Sequence, residues 1–253
     1  MPSYALLVEY DGTGLVGWQR QPNGLSVQQV IEEAASHLNA GVAPLATASG
    51  RTDAGVHAEG QVVQLAVSAE LPPVRLRAAL DFHTRPHRIA IRGAAFAAEG
   101  WSPRFSAVQR HYRYRVLNRA AKPALEEGRV WHVPLPLDAG AMHAAAQLLL
   151  GRHDFSAYRA ASCQAESPLR TLERLDVVRV GEEVQILASA RSFLHHQVRN
   201  LVGTLHEVGL RRRPVEWPRA VLDGRDRRAG GQTAPPQGLT FLRVDFPEPP
   251  DWS

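Results

Sequence analysis

Gly50-Arg51-Thr52-Asp53-Ala54-Gly55-Val56-His57 runs into Gln61-Val62-Val63-Gln64-Leu65-Ala66-Val67, a loop followed by a strand. Gly50 and Gly55 permit backbone angles that other residues avoid, so the first segment reads as a tight, shaped turn. The apolar run behind it anchors that turn to a sheet, and side chains that do chemistry often sit on loops held by such a scaffold. Asp53 stands two residues after Arg51. A carboxylate beside a guanidinium stays charged away from bulk water and serves as nucleophile or base. The same aspartate also suits an Asx turn, a purely structural use.

Working outward, the first half reads β-α-β-β-α-β. Ala5 to Tyr10 is a strand. Ser26 starts a helix with Gln29 as its capping-box partner, and Val27, Val30, Ile31, Ala34 and Leu38 recur at helical spacing. A short strand leads into the Asp53 loop, Pro72-Pro73 opens a helix to about Leu80, and Ile89 to Phe96 is a strand. In the second half, Arg110 to Val116 alternates basic with aromatic or apolar residues, the period of a half-buried strand. Asp138 caps a helix ending at Gly151. Leu172–Val180 and Val184–Ala190 form a hairpin about Gly181-Glu182-Glu183. Leu194, Val198, Leu201, Val202, Leu205 and Val208 mark a long amphipathic helix capped by Gly209. A short helix near Glu216–Leu222 precedes a last strand at Leu239–Val244. This mixture is α+β with a mainly antiparallel sheet.

The 253 residues suffice for one large domain or two small ones, and 44% hydrophobic with 21% charged residues is a globular composition. No apolar run approaches the ~18–20 residues that span a bilayer, and the N-terminus reads as a first strand rather than a signal peptide, so the cytoplasm is the expected location. Cys163, the only cysteine, excludes an intrachain disulfide and a cysteine zinc cluster. His195 and His196 lie on different sides of the expected helix and lack HExxH spacing, so no metal site is expected. Net charge is +4, and Lys122 is the only lysine. That balance suits a polyanion, and guanidinium forks suit phosphate. Arg211-Arg212-Arg213 and Arg225-Asp226-Arg227-Arg228 read as solvated faces able to touch phosphate.

Several separate motifs resemble, in order, those of the tRNA pseudouridine synthases of the TruA type. They include Glu9-Tyr10-Asp11-Gly12-Thr13-Gly14, Gly17-Trp18-Gln19-Arg20-Gln21, the Gly50–His57 string and Tyr112-Arg113-Tyr114. Leu149–Phe155, Phe193–Asn200, Thr233-Ala234-Pro235-Pro236 and Gly238-Leu239 follow. The resemblance implies two similar ferredoxin- or RRM-like α/β lobes, 1–106 and 107–253, whose sheets join with a basic cleft between them. It implies conversion of uridine to pseudouridine at positions 38–40 of the tRNA anticodon arm. That reaction changes no redox state and expels no leaving group, so no cofactor is expected. A homodimer acting on tRNA, without membrane attachment, is also implied. Asp53 takes the role of catalytic residue, Arg199 that of its partner, Tyr112 that of a base-stacking aromatic, and Arg51 that of an RNA contact or stand-in for a flipped nucleotide. Tyr114 shares the face of Tyr112 and is assigned to the core.

The chain departs from that pattern before Arg104, where Leu80–Arg88 and Trp101–Arg104 replace more usual segments. The catalytic set lies outside both. The competing function is a non-catalytic tRNA-binding protein on the same scaffold, for which a carboxylate facing phosphate would be a handicap.

Overall fold

The computed structural model describes residues 1–252. In chain order its elements are β1 (Ser3–Tyr10), α1 (Val27–Ser36), β2 (Thr47–Ala48), β3 (His57–Ala66), α2 (Pro73–His83) and β4 (Ile89–Phe96). Next come β5 (Gln109–Leu117), β6 (Trp131–His132), α3 (Ala139–Gln147) and β7 (Gly151–Asp154). The last are β8 (Leu169–Val180), β9 (Glu183–Ala190), α4 (Gln197–Gly209), α5 (Trp217–Gly224) and β10 (Leu239–Asp245). The result is a mixed α/β chain with five helices and mainly antiparallel strand pairing. No described helix is long and apolar enough to cross a membrane.

The chain divides into two compact units. The first holds Met1–Arg110 with the C-terminal segment from Phe241 onward. Its strands run β4-β1-β3-β10, with β2 beside β3. The β1 register sets Leu6 against Val63 on one side and Ala94 on the other. α1 starts as its cap chemistry dictates: the Ser26 hydroxyl accepts the Gln29 N–H at 3.1 Å. The reciprocal half of the expected capping box is diverted, because Gln29 Nε2 donates to Glu33. Val27, Val30, Ile31 and Ala34 bury the helix's apolar stripe, and α2 buries Leu76 and Leu80.

The second unit spans His111–Thr240. Its strands run β5-β9-β8-β7, with β6 parallel to β5. Tyr114, Phe155, Tyr158 and Met142 are fully buried, together with the α4 stripe of Leu201, Val202 and Leu205. Gly203 lies in α4 where the backbone of Gln232 passes, so close that a Cβ there would overlap the Gln232 carbonyl oxygen.

Four expectations need correction. α3 ends at Gln147, not Gly151; Gly151 has φ +98° and instead opens β7. That strand forms because Gly151–Asp154 finds Leu172–Leu169 of β8 far along the chain, a pairing with no local signature. α4 begins at Gln197 because His196 is left-handed, φ 62°. Leu194 and His195 therefore precede the helix and His196 is its cap, so the two histidines do not splay from a helix as expected. Leu194 fits the apolar period only because it is buried in the preceding turn, where Gln197 Oε1 accepts its N–H at 2.8 Å. Gly209 is the last helical residue, and Leu210 is the cap.

Candidate active-site residues

The Asp53 loop joins β2 to β3 within the first unit, and its two ends are tied down independently. At the entry, the Ser49 N–H donates to Val62 O at 2.8 Å, Ser49 Oγ meets Gln61 Oε1 at 2.7 Å, and Gln61 Nε2 donates to Gly50 O at 2.8 Å. Gln61 is wholly buried, so its bond with the Ser49 hydroxyl forms out of water. Arg110, also buried, adds its guanidinium: Nε and Nη2 donate to Ser49 O at 3.2 and 2.8 Å. At the exit, the Val56 N–H closes a turn on Asp53 O at 3.1 Å.

A second loop, residues 11–18, clamps the middle. Trp18 N–H donates to Thr52 O at 3.0 Å, and Gly55 N–H to Leu15 O at 3.2 Å. This approach requires Gly17: its φ is +99°, and a Cβ there would stand 2.5 Å from the Thr52 carbonyl oxygen. From below, Tyr10 Oη bonds Thr52 Oγ1 at 2.7 Å. Burial pushes the Tyr10 phenol up to about 12, against the opposing pull of Thr52 and Gln61, so it stays protonated as a structural tether. Asp53 itself is half-buried and Arg51 exposed.

Asp11 holds the clamp loop. Its carboxylate accepts the Thr13 N–H at 3.0 Å and Arg88 Nη1 at 3.1 Å. His57 Nδ1 lies 3.1 Å from both Asp11 Oδ1 and the Gly12 nitrogen. With Nδ1 unprotonated the ring accepts from Gly12; with a proton there it donates to Asp11. Burial alone would raise the Asp11 carboxyl, but the Thr13 bonds, Arg88 and His57 together outweigh it and hold it well below the usual carboxylate range. A depressed folded value stabilises the protein above the ordinary carboxylate range and loses that effect as pH falls toward the folded value. Asp11→Asn is therefore expected to cost on the order of 1 kcal/mol at pH 7. The gap between variant and wild type should shrink by pH 3. Urea unfolding at both pH values measures it, and an unchanged gap would refute the assignment.

In the second unit, Tyr112 on β5 is half-buried, its ring edge-on to Phe193 at a centroid distance of 5.2 Å and 89°. Tyr114 is fully buried, as the strand period implies, and its hydroxyl donates to Pro235 O at 2.8 Å. Arg199 occupies the first turn of α4. Its Nε donates to Ala234 O at 2.8 Å, while the Ala234 N–H returns to Arg199 O at 3.1 Å. Segment 234–238 is thus strapped to α4 at Arg199 and to β5 at Tyr114. Burial raises the Tyr114 phenol, with the Arg199 charge opposing it.

Arg51 and Asp53 share one loop of the first unit; Tyr112 and Arg199 both belong to the second. The sequence points to His57 as a loop-fixing hydrogen bonder, as its contacts with Gly12 and Asp11 bear out, but not to Arg110, Gln61 or Asp11 as supports of the loop. A signal for Arg110 existed, since it has the same strand parity as Tyr112 and Tyr114. Arg227, which the sequence places on a solvated face, is half-buried against α4.

A family model described as tRNA pseudouridine synthase matches residues 6–106 and 145–247. The tRNA pseudouridine synthase A of Acidiphilium cryptum is 60% identical over 247 residues, covering 97% of each chain. That of Rhodospirillum rubrum is 56% identical over 247 residues, covering 98% of this chain and 88% of the other. The protein of the same name from a Methylobacterium species is 54% identical over 249 residues, covering 98% and 99%. Matches of this extent, spanning both the Asp53 loop and the Arg199 helix, place the chain in the tRNA pseudouridine synthase family.

Proposed function

We propose that this chain converts uridine to pseudouridine in tRNA, at positions 38–40 of the anticodon arm, with Asp53 as nucleophile or base. The observation that carries the reading is the Asp53 loop: a half-buried carboxylate on a segment whose neighbours are fixed at both ends and clamped in the middle. Catalysis by positioning needs such rigidity, because small displacements of a reacting group are costly.

The isomerisation breaks the N1–C1′ bond, turns the base over and joins C5 to C1′. The proton leaving C5 is balanced by one gained at N1, so no oxidant, reductant or leaving group enters. Target uridines within the stem must leave the stack, at a cost of a few kcal/mol. Tyr112 is assigned stacking on the uracil, worth about 1–3 kcal/mol per base. Arg199 is assigned the positive charge that keeps the reacting carboxylate ionised, and Arg51 contact with RNA. In this reading the chain forms two similar α/β lobes, the first contributing the aspartate and the second the tyrosine and arginine. The protein works as a cytoplasmic homodimer that recognises tRNA shape and backbone more than sequence.

The test is pseudouridine mapping by carbodiimide primer extension on unmodified tRNA transcripts incubated with the purified protein and EDTA. Stops confined to the anticodon arm are expected. Tight tRNA binding without stops would support the non-catalytic reading, and stops elsewhere would reassign the target.

A further inference from the structure

Behind α4, within the second unit, the segment after α5 folds back to make a cavity of about 450 Å³. The backbone fixes its wall. Gly231 N–H donates to Thr204 Oγ1 at 3.1 Å, Thr204 Oγ1 donates to Asn200 O at 2.8 Å, and Thr233 Oγ1 donates to Asn200 Oδ1 at 2.7 Å. Arg227 lines this cavity together with Arg228, Ala160, His196 and Gly230. Its Nη2 donates to Asn200 Oδ1 at 3.0 Å and to Thr233 Oγ1 at 3.1 Å.

Both of those partners are neutral. No carboxylate among the described residues engages Arg227, and its Nε and Nη1 bond no protein acceptor there. Its neighbours in the same run differ. Arg228, 91% exposed, grips Asp226 at 3.0 Å, and Arg225, also exposed, reaches Asp154 at 3.5 Å. The two solvated arginines have counter-ions, while the half-buried one has none. Withdrawing a cation from water is costly unless an anion or hydrogen bonds compensate. Burial accordingly pushes the Arg227 guanidinium down, with only the Tyr158 ring opposing it. A cation fixed at the wall of a cavity far roomier than the ~30 Å³ share of one water is a built site for an anion.

We infer that this cavity binds a phosphate group of the tRNA backbone through Arg227, a contact that rests on the tRNA reading above and names one of its anchor points. The net charge of +4 suits a polyanion, and the cavity wall continues into Ala234, whose backbone holds the Arg199 side chain. Phosphate bound at Arg227 thereby steadies the strap that positions Arg199.

Equilibrium binding of tRNA transcripts across a salt series tests this without requiring turnover. Arg227→Gln should weaken binding about tenfold at low salt. It should also flatten the slope of log K against log salt by about 0.7–0.9, one released counter-ion. Arg227→Lys should keep the slope. Thr233→Asp supplies the missing carboxylate without removing the arginine. It should lose the same slope when assayed below its own melting temperature, which keeps the test valid if Arg227→Gln fails to fold. A wild-type slope in Arg227→Gln or Thr233→Asp would show Arg227 to be only a tie between α4 and the strap. If inorganic phosphate raises the melting temperature of wild type but not of Arg227→Gln, while the tRNA slopes agree, the site takes a free ion and the RNA contact is overturned. Loss of slope in a protein that forms no pseudouridine would overturn the catalytic reading alone. Pseudouridine formation with an unchanged slope would overturn this inference alone.

Discussion

Asp53→Ala is expected to abolish pseudouridine formation while leaving tRNA affinity within about twofold of wild type. Removing the sole nucleophile or base of an enzyme typically costs about 10⁴-fold or more. The fold should tolerate the change. Asp53 is half-buried, and the turn at this position is closed by the backbone bond from Val56 N–H to Asp53 O, which alanine retains. Asp53→Asn is the sharper variant, since it keeps shape and removes only the charge. Both should melt near wild type and bind transcript tRNA with the wild-type salt slope. Single-turnover assays at saturating enzyme isolate the chemical step from binding. A rate within tenfold of wild type for either variant would remove Asp53 from the reaction and leave it as a turn residue.

What the sequence disclosed, and what it hid, follows from how far each signal reaches along the chain. The Asp53 loop is legible because its glycines, its aspartate and the strand behind it are contiguous, and the family resemblance rests on that contiguity. The apolar stripes of α1 and α4 are legible for the same reason. The start of α4 is not, because an apolar period records burial and Leu194 is buried whether or not it is helical; only the left-handed backbone at His196 ends the helix there. β7 has four residues and no alternation, so its existence depends on β8 alone. Charge runs mislead in the same way. Arg225, Arg227 and Arg228 look alike in sequence, yet tertiary packing leaves one half-buried against Asn200 and the others in solvent beside carboxylates. The supports of the Asp53 loop are spread from Asp11 to Arg110, and no local window contains them.

Arg110→Met carries the largest expected effect on stability. The arginine is 8% exposed, and it donates to the backbone carbonyls Ser49 O, Ala107 O at 3.2 Å and Arg104 O at 2.7 Å. Methionine fills much of the space but leaves three acceptors without these donors. A buried polar group stripped of its partner costs about 1–3 kcal/mol. Part of that is offset because a cation no longer has to be buried, so a net loss of about 3 kcal/mol is expected, or roughly 6–12 °C in melting temperature for a chain of this size. The functional effect has a separate cause. Ser49 O and Gly50 O fix the entry of the Asp53 loop, and Arg110 holds the first of them. Freed on that side, the loop should misplace the carboxylate, and a shift of about 1 Å is enough to cost 10²-fold in rate. The loss should therefore fall on kcat far more than on KM when assayed well below the lowered melting temperature. Arg110→Lys, with one compact ammonium in place of a planar fork, should recover part of the stability and less of the rate. A methionine variant that melts within 2 °C of wild type, or melts lower with kcat intact, would show that the loop keeps its shape without this arginine.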